Sequence, residues 1–267
     1  MKLKICQIDA FTDHVFGGNP AAVCILDQWL EPKLMQKIAQ ENNLAETAFL
    51  VQKNASYELR WFTPEIEVDL CGHATLAAAY VLYHYHGHLE NTIRFYSHRS
   101  GELIVQRAQG GYITMDFPTD RIVAIQGDTA INKAIGLTPE RTIKGKTDYL
   151  LIYNSQEEIE HIEPDFTLLD QLDCRGVIVS APGNDVDFVS RFFAPKCGIP
   201  EDPVTGSAHT TMTPYWSKVF GKTEMTAKQL SKRGGDLVCE YLGERVKISG
   251  KAVPYICLLY TSDAADE

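Results

Sequence analysis

The feature of this sequence that most constrains its fold is an internal repeat. Residues 97–103 (SHRSGEL) and 231–237 (SKRGGDL) are 134 residues apart and agree at four of seven positions. The segments GHA at 72–74 and GSA at 206–208 have the same spacing. RWFTP at 60–64 and RFFAP at 191–195 are 131 residues apart. Three matches in one order predict a chain built from two copies of one unit.

Each copy is predicted to combine a sheet with a central helix. Apolar and polar residues alternate with the period of a strand at 57–62, 102–107, 112–117 and 187–193. Helices are predicted at 31–41, 74–85, 164–172 and 208–220. Two such units predict an α+β protein with two similar lobes and a ligand-binding cleft between them.

Pro118 and the polar residues after it mark the predicted boundary between the lobes. The N-terminal lobe is expected to comprise residues 1–118 and the C-terminal lobe 119–257, with a last strand able to pack back on the first lobe. Residues 258–267 (LLYTSDAADE) follow a strand-like segment without any turn residues. We interpret them as a non-native tail outside the fold, the alternative being a genuine disordered tail.

Composition limits the classes of partner. With 25 Lys+Arg against 35 Asp+Glu, the formal net charge is -10, which argues against nucleic acid or an anionic membrane as partner. The longest apolar stretch, 74–83, is too short to span a bilayer, and the first nine residues lack the apolar core of a signal peptide. The seven cysteines include no C-x-x-C pair and indicate reduced thiols. A small-molecule partner and a cytoplasmic location are therefore expected.

Three Gly-containing segments are predicted to start helices: 17–23 (GGNPAAV), 70–75 (LCGHAT) and 201–210 (EDPVTGSAHT). In the first, Asn19 would be the N-cap and Pro20 the first helical residue. Backbone N–H groups at a helix start can hold a carboxylate or a developing anion. An ordinary cap is the simpler explanation of one such start, whereas two starts related by the repeat favour a binding function.

Glu46 is a candidate for acid/base chemistry. It lies within 42–50 (NNLAETAFL), where a predicted helix ends and an apolar strand begins. Its neighbours predict partial burial, which suits a carboxylate to proton transfer near neutral pH. From the local sequence alone, an ion-paired or solvated glutamate at a strand edge is the simpler alternative.

Four segments together resemble the PhzF-like family of phenazine biosynthesis: 18–23 (GNPAAV), 43–49 (NLAETAF), 71–75 (CGHAT) and 201–209 (EDPVTGSAH). Their order and spacing match along the chain to about residue 253. The resemblance implies the diaminopimelate epimerase-like fold, in which two pseudo-symmetric lobes each wrap a strand barrel around a central helix. Family members are often homodimers, so a homodimer is expected, although nothing in the sequence marks an interface.

The resemblance also implies roles for individual residues. The acid/base glutamate of the family falls on Glu46, with His73 and Asp202 as further catalytic groups that position or polarise the substrate. Substrate binding is implied for Asn19, Gly72, Gly206 and Ser207. The implied activity is biosynthetic: a cofactor-independent and metal-free isomerase moves a proton on a small, carboxylate-bearing, cyclic amino acid-like substrate.

Two alternatives remain. Epimerases of related fold use two opposed thiols, and here Cys71 occupies the first position while the repeat places Thr205 at the second. A threonine hydroxyl is too weak an acid to replace a thiolate, so an amino-acid racemase or epimerase is disfavoured and Cys71 is expected to be a buried packing residue. A non-catalytic binding protein on the same fold is the other alternative, and the intact Glu46, His73 and Asp202 weigh against it.

Overall fold

The computed structural model describes residues 2–261, and their side chains as far as residue 259. These residues fall into two compact units. Unit 1 comprises the chain up to Asp116 together with the residues from Ser249 onward, and unit 2 is Phe117–Ile248. The predicted α+β class, with two lobes that each contain a central helix, is confirmed.

Unit 1 is a mixed sheet with two helices. Its helices are α1 (Pro32–Asn42) and α2 (Gly72–Tyr85). Its strands are β1 (Lys2–Ala10), β2 (Asn19–Leu26), β3 (Glu46–Lys53), β4 (Ser56–Phe62), β5 (Glu67–Val68), β6 (Thr92–Ser97), β7 (Gly101–Arg107), β8 (Ile113–Pro118), whose end crosses the unit boundary, and β18 (Ala252–Thr261). β18, β1 and β2 pair antiparallel in that order, β2 pairs parallel with β3, and β3 pairs antiparallel with β4. β4 then pairs parallel with β6, which continues antiparallel to β7 and β8.

Unit 2 repeats this arrangement. Its helices are α3 (Thr129–Ile135), α4 (Gln156–His161), α5 (Phe166–Asp170) and α6 (Gly206–Phe220). Its strands are β9 (Val123–Ile125), β10 (Arg141–Lys144), β11 (Asp148–Ile152), β12 (Gly176–Pro182), β13 (Phe188–Ala194), β14 (Ile199–Glu201), β15 (Glu224–Gln229), β16 (Gly235–Tyr241) and β17 (Arg245–Gly250), which reaches unit 1. The pairs β10–β11 and β12–β13 are antiparallel, as is β15–β16, whereas β11–β12 and β13–β15 are parallel. The second parallel pair is bridged by α6, as β4 and β6 are bridged by α2.

Helix α2 is the central helix of unit 1 because almost all of its faces are apolar. Its sequence, GHATLAAAYVLYHY, contains no acidic residue, and ten of its fourteen residues are buried. A helix that is apolar all round is stable only inside a core. α2 accordingly packs against β1, β2 and β3.

Helix α6 tolerates a proline in its interior. Pro214 has no N–H, so the carbonyl of Thr210, four residues earlier, loses its helical donor. The backbone N–H of Asp120 donates to this carbonyl at 3.3 Å, which satisfies it from outside the helix.

The helix predicted to start at Asn19 is wrong. Asn19 is the first residue of strand β2, and Pro20 lies opposite Asp9 of β1. The local pattern of a cap residue followed by proline also suits a strand, since the residue before a proline favours the extended region. The apolar run that follows is buried between β1 and β3, so pairing on both edges outweighs the cap signal.

The predicted lobe limits, 1–118 and 119–257 with a last strand able to pack back on the first lobe, stay a prediction. Residues from Ser249 onward belong to unit 1, because β18 pairs with β1 along its length. This strand continues through Thr261, so residues 258–261 extend the sheet edge, whereas 262–267 lie outside the described residues. That 258–267 is non-native stays a prediction.

The structure joins Cys6 and Cys257 as a disulfide between β1 and β18. The expectation that all cysteines are reduced is wrong for this pair, since nothing in the sequence indicates that residues 251 positions apart lie opposite each other. The cysteines at positions 24, 71, 174 and 239 are free thiols. Among residues 2–261, none of the helices combines the length and apolarity that a membrane span needs.

Candidate active site

Glu46 and His73 form a buried pair in unit 1. Glu46 is the first residue of β3, and His73 is the second residue of α2. The carboxylate Oε2 lies 3.1 Å from Nε2 of His73, with the Glu46 side chain 13% exposed and that of His73 5% exposed. Oε2 is buried and makes no aligned hydrogen bond within the described part of the chain. A buried carboxylate oxygen held beside an imidazole in this way is a mark of a functional site.

Asn19 and Cys71 contact the other side of the His73 ring. The amide Nδ2 of Asn19 lies 3.1 Å from Nδ1, and Sγ of Cys71 lies 3.4 Å from the same nitrogen. Asn19 is fully buried at the start of β2, and Cys71 is the N-cap of α2. The imidazole is therefore fixed between β2, β3 and its own helix start.

Burial and charge shift two pKa values in this cluster. Burial, reinforced by the nearby Glu46 carboxylate, raises the pKa of the Cys71 thiol to about 11, so Cys71 is a neutral thiol at neutral pH. Burial by itself would lower the pKa of His73, but the neighbouring Cys71 and Glu46 raise it overall. The raised pKa favours the protonated form of the His73 imidazole.

The same residues form a possible ligand set for a metal ion. Ligand atoms of Glu46, Cys71 and His73 lie within 4.8 Å of one another, and these three residue types are ligands that Zn²⁺ accepts. The expectation that no metal or organic cofactor takes part stays a prediction.

Asp202 belongs to a hydrogen-bonded loop in front of α6, in unit 2. The hydroxyl of Thr205 donates to Oδ2 of Asp202 at 2.6 Å. Gln229 of β15 holds both residues, because its Nε2 donates to the Asp202 carbonyl at 2.7 Å and its Oε1 accepts from the Thr205 N–H at 2.9 Å. Gln229 was not predicted to support the site, and only the fold brings its strand to this loop.

Ser207 contacts Arg175, which is paired with Asp148, and neither of these charged residues was predicted. Its Oγ accepts a hydrogen bond from Nη2 of Arg175 at 3.0 Å. Arg175 in turn binds the buried carboxylate of Asp148 through Nε at 2.8 Å and through Nη2. Asp148 begins the apolar strand β11, and Arg175 directly precedes the apolar strand β12. This position beside a strand was the only feature of the sequence that could have drawn attention to them.

The predicted site residues fall into two groups, one in each unit. Asn19, Glu46, Gly72 and His73 meet in unit 1. Asp202, Gly206 and Ser207 lie around the start of α6 in unit 2. The predicted cleft stays a prediction.

His209 of α6 is expected to make stability depend on pH. Its Nδ1 donates to the Thr205 carbonyl at 2.8 Å, and its buried Nε2 has no hydrogen-bond partner among residues 2–261. Burial lowers the pKa of His209 to about 4, against 6.5 when unburied. Between pH 6.5 and pH 4, the unfolded chain therefore binds a proton at His209 that the folded chain does not bind. The contribution of neutral His209 to the free energy of unfolding is complete above pH 6.5 and is lost as the pH falls towards 4. The loss amounts to about 3 kcal/mol.

The measurement is urea unfolding of wild type and His209→Asn at pH 7 and pH 4, with the amide replacing the Nδ1 donor. We expect a smaller fall in the free energy of unfolding for the variant. His161→Asn is the matched control, since His161 makes the same bond to the carbonyl four residues earlier but is exposed. Equal pH dependence in His209→Asn and wild type would contradict the prediction.

Comparison with known proteins identifies the family. A family model described as phenazine biosynthesis-like protein matches residues 8–257. The chain belongs to the phenazine biosynthesis-like family. Within it, the chain is 50% identical over 256 residues to an uncharacterized isomerase of Pseudomonas aeruginosa, covering 96% of this chain and 98% of that protein. An uncharacterized isomerase of Halalkalibacterium halodurans is 43% identical over 95% of this chain and 96% of its own length.

Solved structures agree with this assignment. A PhzF family protein of Enterococcus faecalis superposes with a TM-score of 0.94 and 45% identity, over 98% of this chain and all of that one. The predicted resemblance to the phenazine biosynthesis-like family and its epimerase-like fold is confirmed. The chain is an enzyme of the isomerase class, and the alternative of a non-catalytic binding protein finds no support.

Proposed function

We propose that this protein is a cofactor-independent isomerase that transfers a proton by general acid/base catalysis on a small, carboxylate-bearing, cyclic amino acid-like substrate. The observation that carries the proposal is the buried Glu46–His73 pair, with carboxylate and imidazole 3.1 Å apart at the start of the central helix. A positioned carboxylate of this kind contributes on the order of 10²–10⁴-fold to a proton transfer.

In the proposed mechanism, Glu46 removes a proton from one substrate carbon and returns it to another. His73 contacts this carboxylate at 3.1 Å and fixes its position at the start of β3. The resemblance implies that Asn19 binds the substrate, but Asn19 has no exposed surface and contacts His73. We therefore propose that Asn19 orients the His73 imidazole.

Removal of a proton from carbon leaves negative charge on the substrate, and preorganised donors must stabilise it. We assign this role to backbone N–H groups at Gly72 and Gly206, each the first residue of a central helix, and we assign substrate binding to Ser207. Asp202 is proposed to polarise the substrate, with its carboxylate oriented by the 2.6 Å bond from Thr205.

A racemase mechanism with two thiols is less well supported. Thr205 stands where the second thiol would be, and its hydroxyl is bonded to Asp202. The pKa of Cys71, about 11, leaves little thiolate at neutral pH.

Cys71→Ala is therefore expected to keep the hydrogen-exchange rate close to that of wild type. The rate is measured by proton NMR in deuterated buffer. Cys24→Ala removes another buried thiol, in the apolar cluster that contains Met35 and Phe49, and controls for lost packing. A fall of ~10²–10⁴-fold in Cys71→Ala alone, the size expected for a lost acid or base, would favour the thiol mechanism.

The proposed function is tested by incubating the protein in deuterated buffer with a panel of cyclic amino acids that contain ring double bonds. We expect deuterium to enter one ring carbon and a double bond to shift. Inversion at the amino-acid stereocentre without a shift would indicate a racemase, and no exchange with any member of the panel would count against the proposal.

Four further expectations stay predictions: a cytoplasmic location, a biosynthetic role, descent of the two units from one duplicated ancestor, and a homodimer.

A further inference from the structure

The strand before the central helix carries the same ion pair in both units. In unit 1, Arg60 of β4 donates to Glu67 of β5 from Nε and Nη2 at 2.7 and 2.8 Å. In unit 2, Arg191 of β13 donates to Glu201 of β14 from the same two nitrogens at 2.7 and 3.0 Å. The two arginines therefore mark equivalent positions.

These arginines fix the correspondence of the neighbouring strands. The first lies opposite Phe49 in the β3–β4 pair, and the second lies opposite Val179 in the β12–β13 pair. Three residues upstream of these positions are Glu46 and Gly176, respectively. Arg175, which directly precedes Gly176, therefore stands beside the position that is equivalent to the proposed catalytic glutamate.

In both units, a side chain at or next to this position contacts the second residue of the central helix. Glu46 lies 3.1 Å from Nε2 of His73, and Nη2 of Arg175 lies 3.0 Å from Oγ of Ser207. In unit 2 the guanidinium of the residue before Gly176 thus contacts this helix position, whereas in unit 1 a carboxylate contacts it. A guanidinium keeps its protons at all pH values that a protein survives, so it can bind an anion but cannot exchange protons with a substrate.

Asp148 holds this guanidinium and leaves part of it available. The Asp148 side chain is 1% exposed and that of Arg175 is 37% exposed. The Asp148 carboxylate accepts hydrogen bonds from Nε and Nη2 of Arg175. The Ser207 hydroxyl accepts a second hydrogen bond from Nη2. Nη1 has no hydrogen-bond partner within residues 2–261, and the Ser207 hydroxyl, which accepts from Arg175, keeps its own proton free to donate.

We propose that Asp148, Arg175 and Ser207 form a carboxylate-binding site in unit 2. The inference rests on the proposed function and extends it, because it assigns the anionic group of the substrate to these residues. One carboxylate oxygen accepts from Nη1 of Arg175 and the other from the Ser207 hydroxyl. Charge-assisted bonds of this kind favour a planar anion over a neutral amide.

The probe for this site is benzoate, a cyclic monocarboxylate, and benzamide is its uncharged analogue. Binding to the full chain is measured by isothermal titration calorimetry. We expect benzoate to bind and benzamide not to bind. Arg175→Lys keeps the charge but loses the planar fork, and Ser207→Ala loses one donor; each is expected to weaken benzoate binding about tenfold or more, the size of one lost charge-assisted hydrogen bond.

Arg141→Lys is the matched control, since Arg141 is an exposed arginine of unit 2, 63% exposed, and is expected to leave the affinity unchanged. Far-UV circular dichroism and the melting temperature verify that each variant is folded. Absence of benzoate binding in wild type, or wild-type affinity in folded Arg175→Lys, would overturn the proposal. The proposed function is tested independently of this site. Absence of hydrogen exchange in wild type would contradict the proposed function, whatever the benzoate result.

Discussion

Glu46→Gln is expected to lower the hydrogen-exchange rate by ~10²–10⁴-fold, the range that a general base contributes. Glutamine has nearly the same shape as glutamate but cannot accept a proton from carbon. The side chain can still contact His73, so the fold and the start of β3 should be preserved. Exchange into the substrate found in the deuterium screen, followed by NMR at saturating and at low substrate, measures the effect on kcat and on KM.

The loss should fall mainly on kcat, because an interaction used in the transition state alone changes kcat and kcat/KM together. Glu41→Gln is the matched control, since Glu41 is an exposed residue of α1 in the same unit. Wild-type exchange by folded Glu46→Gln would remove Glu46 from the mechanism.

Gly18→Ala is expected to destabilise the protein by about 2–5 kcal/mol, from left-handed backbone strain of ~1–2 kcal/mol and from overpacking of ~1–3 kcal/mol. Gly18 has φ +60, and an added Cβ would meet the Ala10 carbonyl oxygen at 2.1 Å. Ala10 lies opposite Asn19 in the β1–β2 pair, so relief of the clash would separate these strands and move Asn19 from His73. Urea unfolding measures the loss of stability, and a reduced exchange rate should accompany it.

Gly101→Ala separates the two contributions to this effect. Gly101 also has a positive φ, +77, but a Cβ there would have nothing within 4 Å. Its replacement should show the backbone strain alone, about 1–2 kcal/mol. Equal losses in the two variants would mean that contact with Ala10 is unimportant.

Much of the fold follows from the repeated sequence. The predicted helices at 74–85 and 208–220 are α2 and α6, which each begin two residues earlier, at Gly72 and Gly206. The parallel crossovers follow from the same duplicated pattern of strand, helix and strand. The segment after Asn19 was not predictable in the same way, because its strand is stabilised by partners on both edges that a local pattern does not contain.

The site was predictable where a motif carries its own chemistry. Glu46 and His73 were singled out from local sequence and family resemblance, but their 3.1 Å contact depends on the placement of β3 beside α2. Asp148 and Arg175 lacked such a motif. The contact between them depends on the parallel register that sets Asp148 opposite Gly176. No local pattern encodes a register between strands separated by two helices.

The return of β18 to β1 bears on the order in which the molecule is made. Phe117–Ile248 is one continuous stretch, so every residue of this half is synthesised before the final strand. The other half exposes an edge of β1 until Ala252 and the residues after it emerge and cover it. The half that carries the glutamate therefore matures last, and nascent chains stalled before that strand would present an uncovered edge to chaperones or to one another.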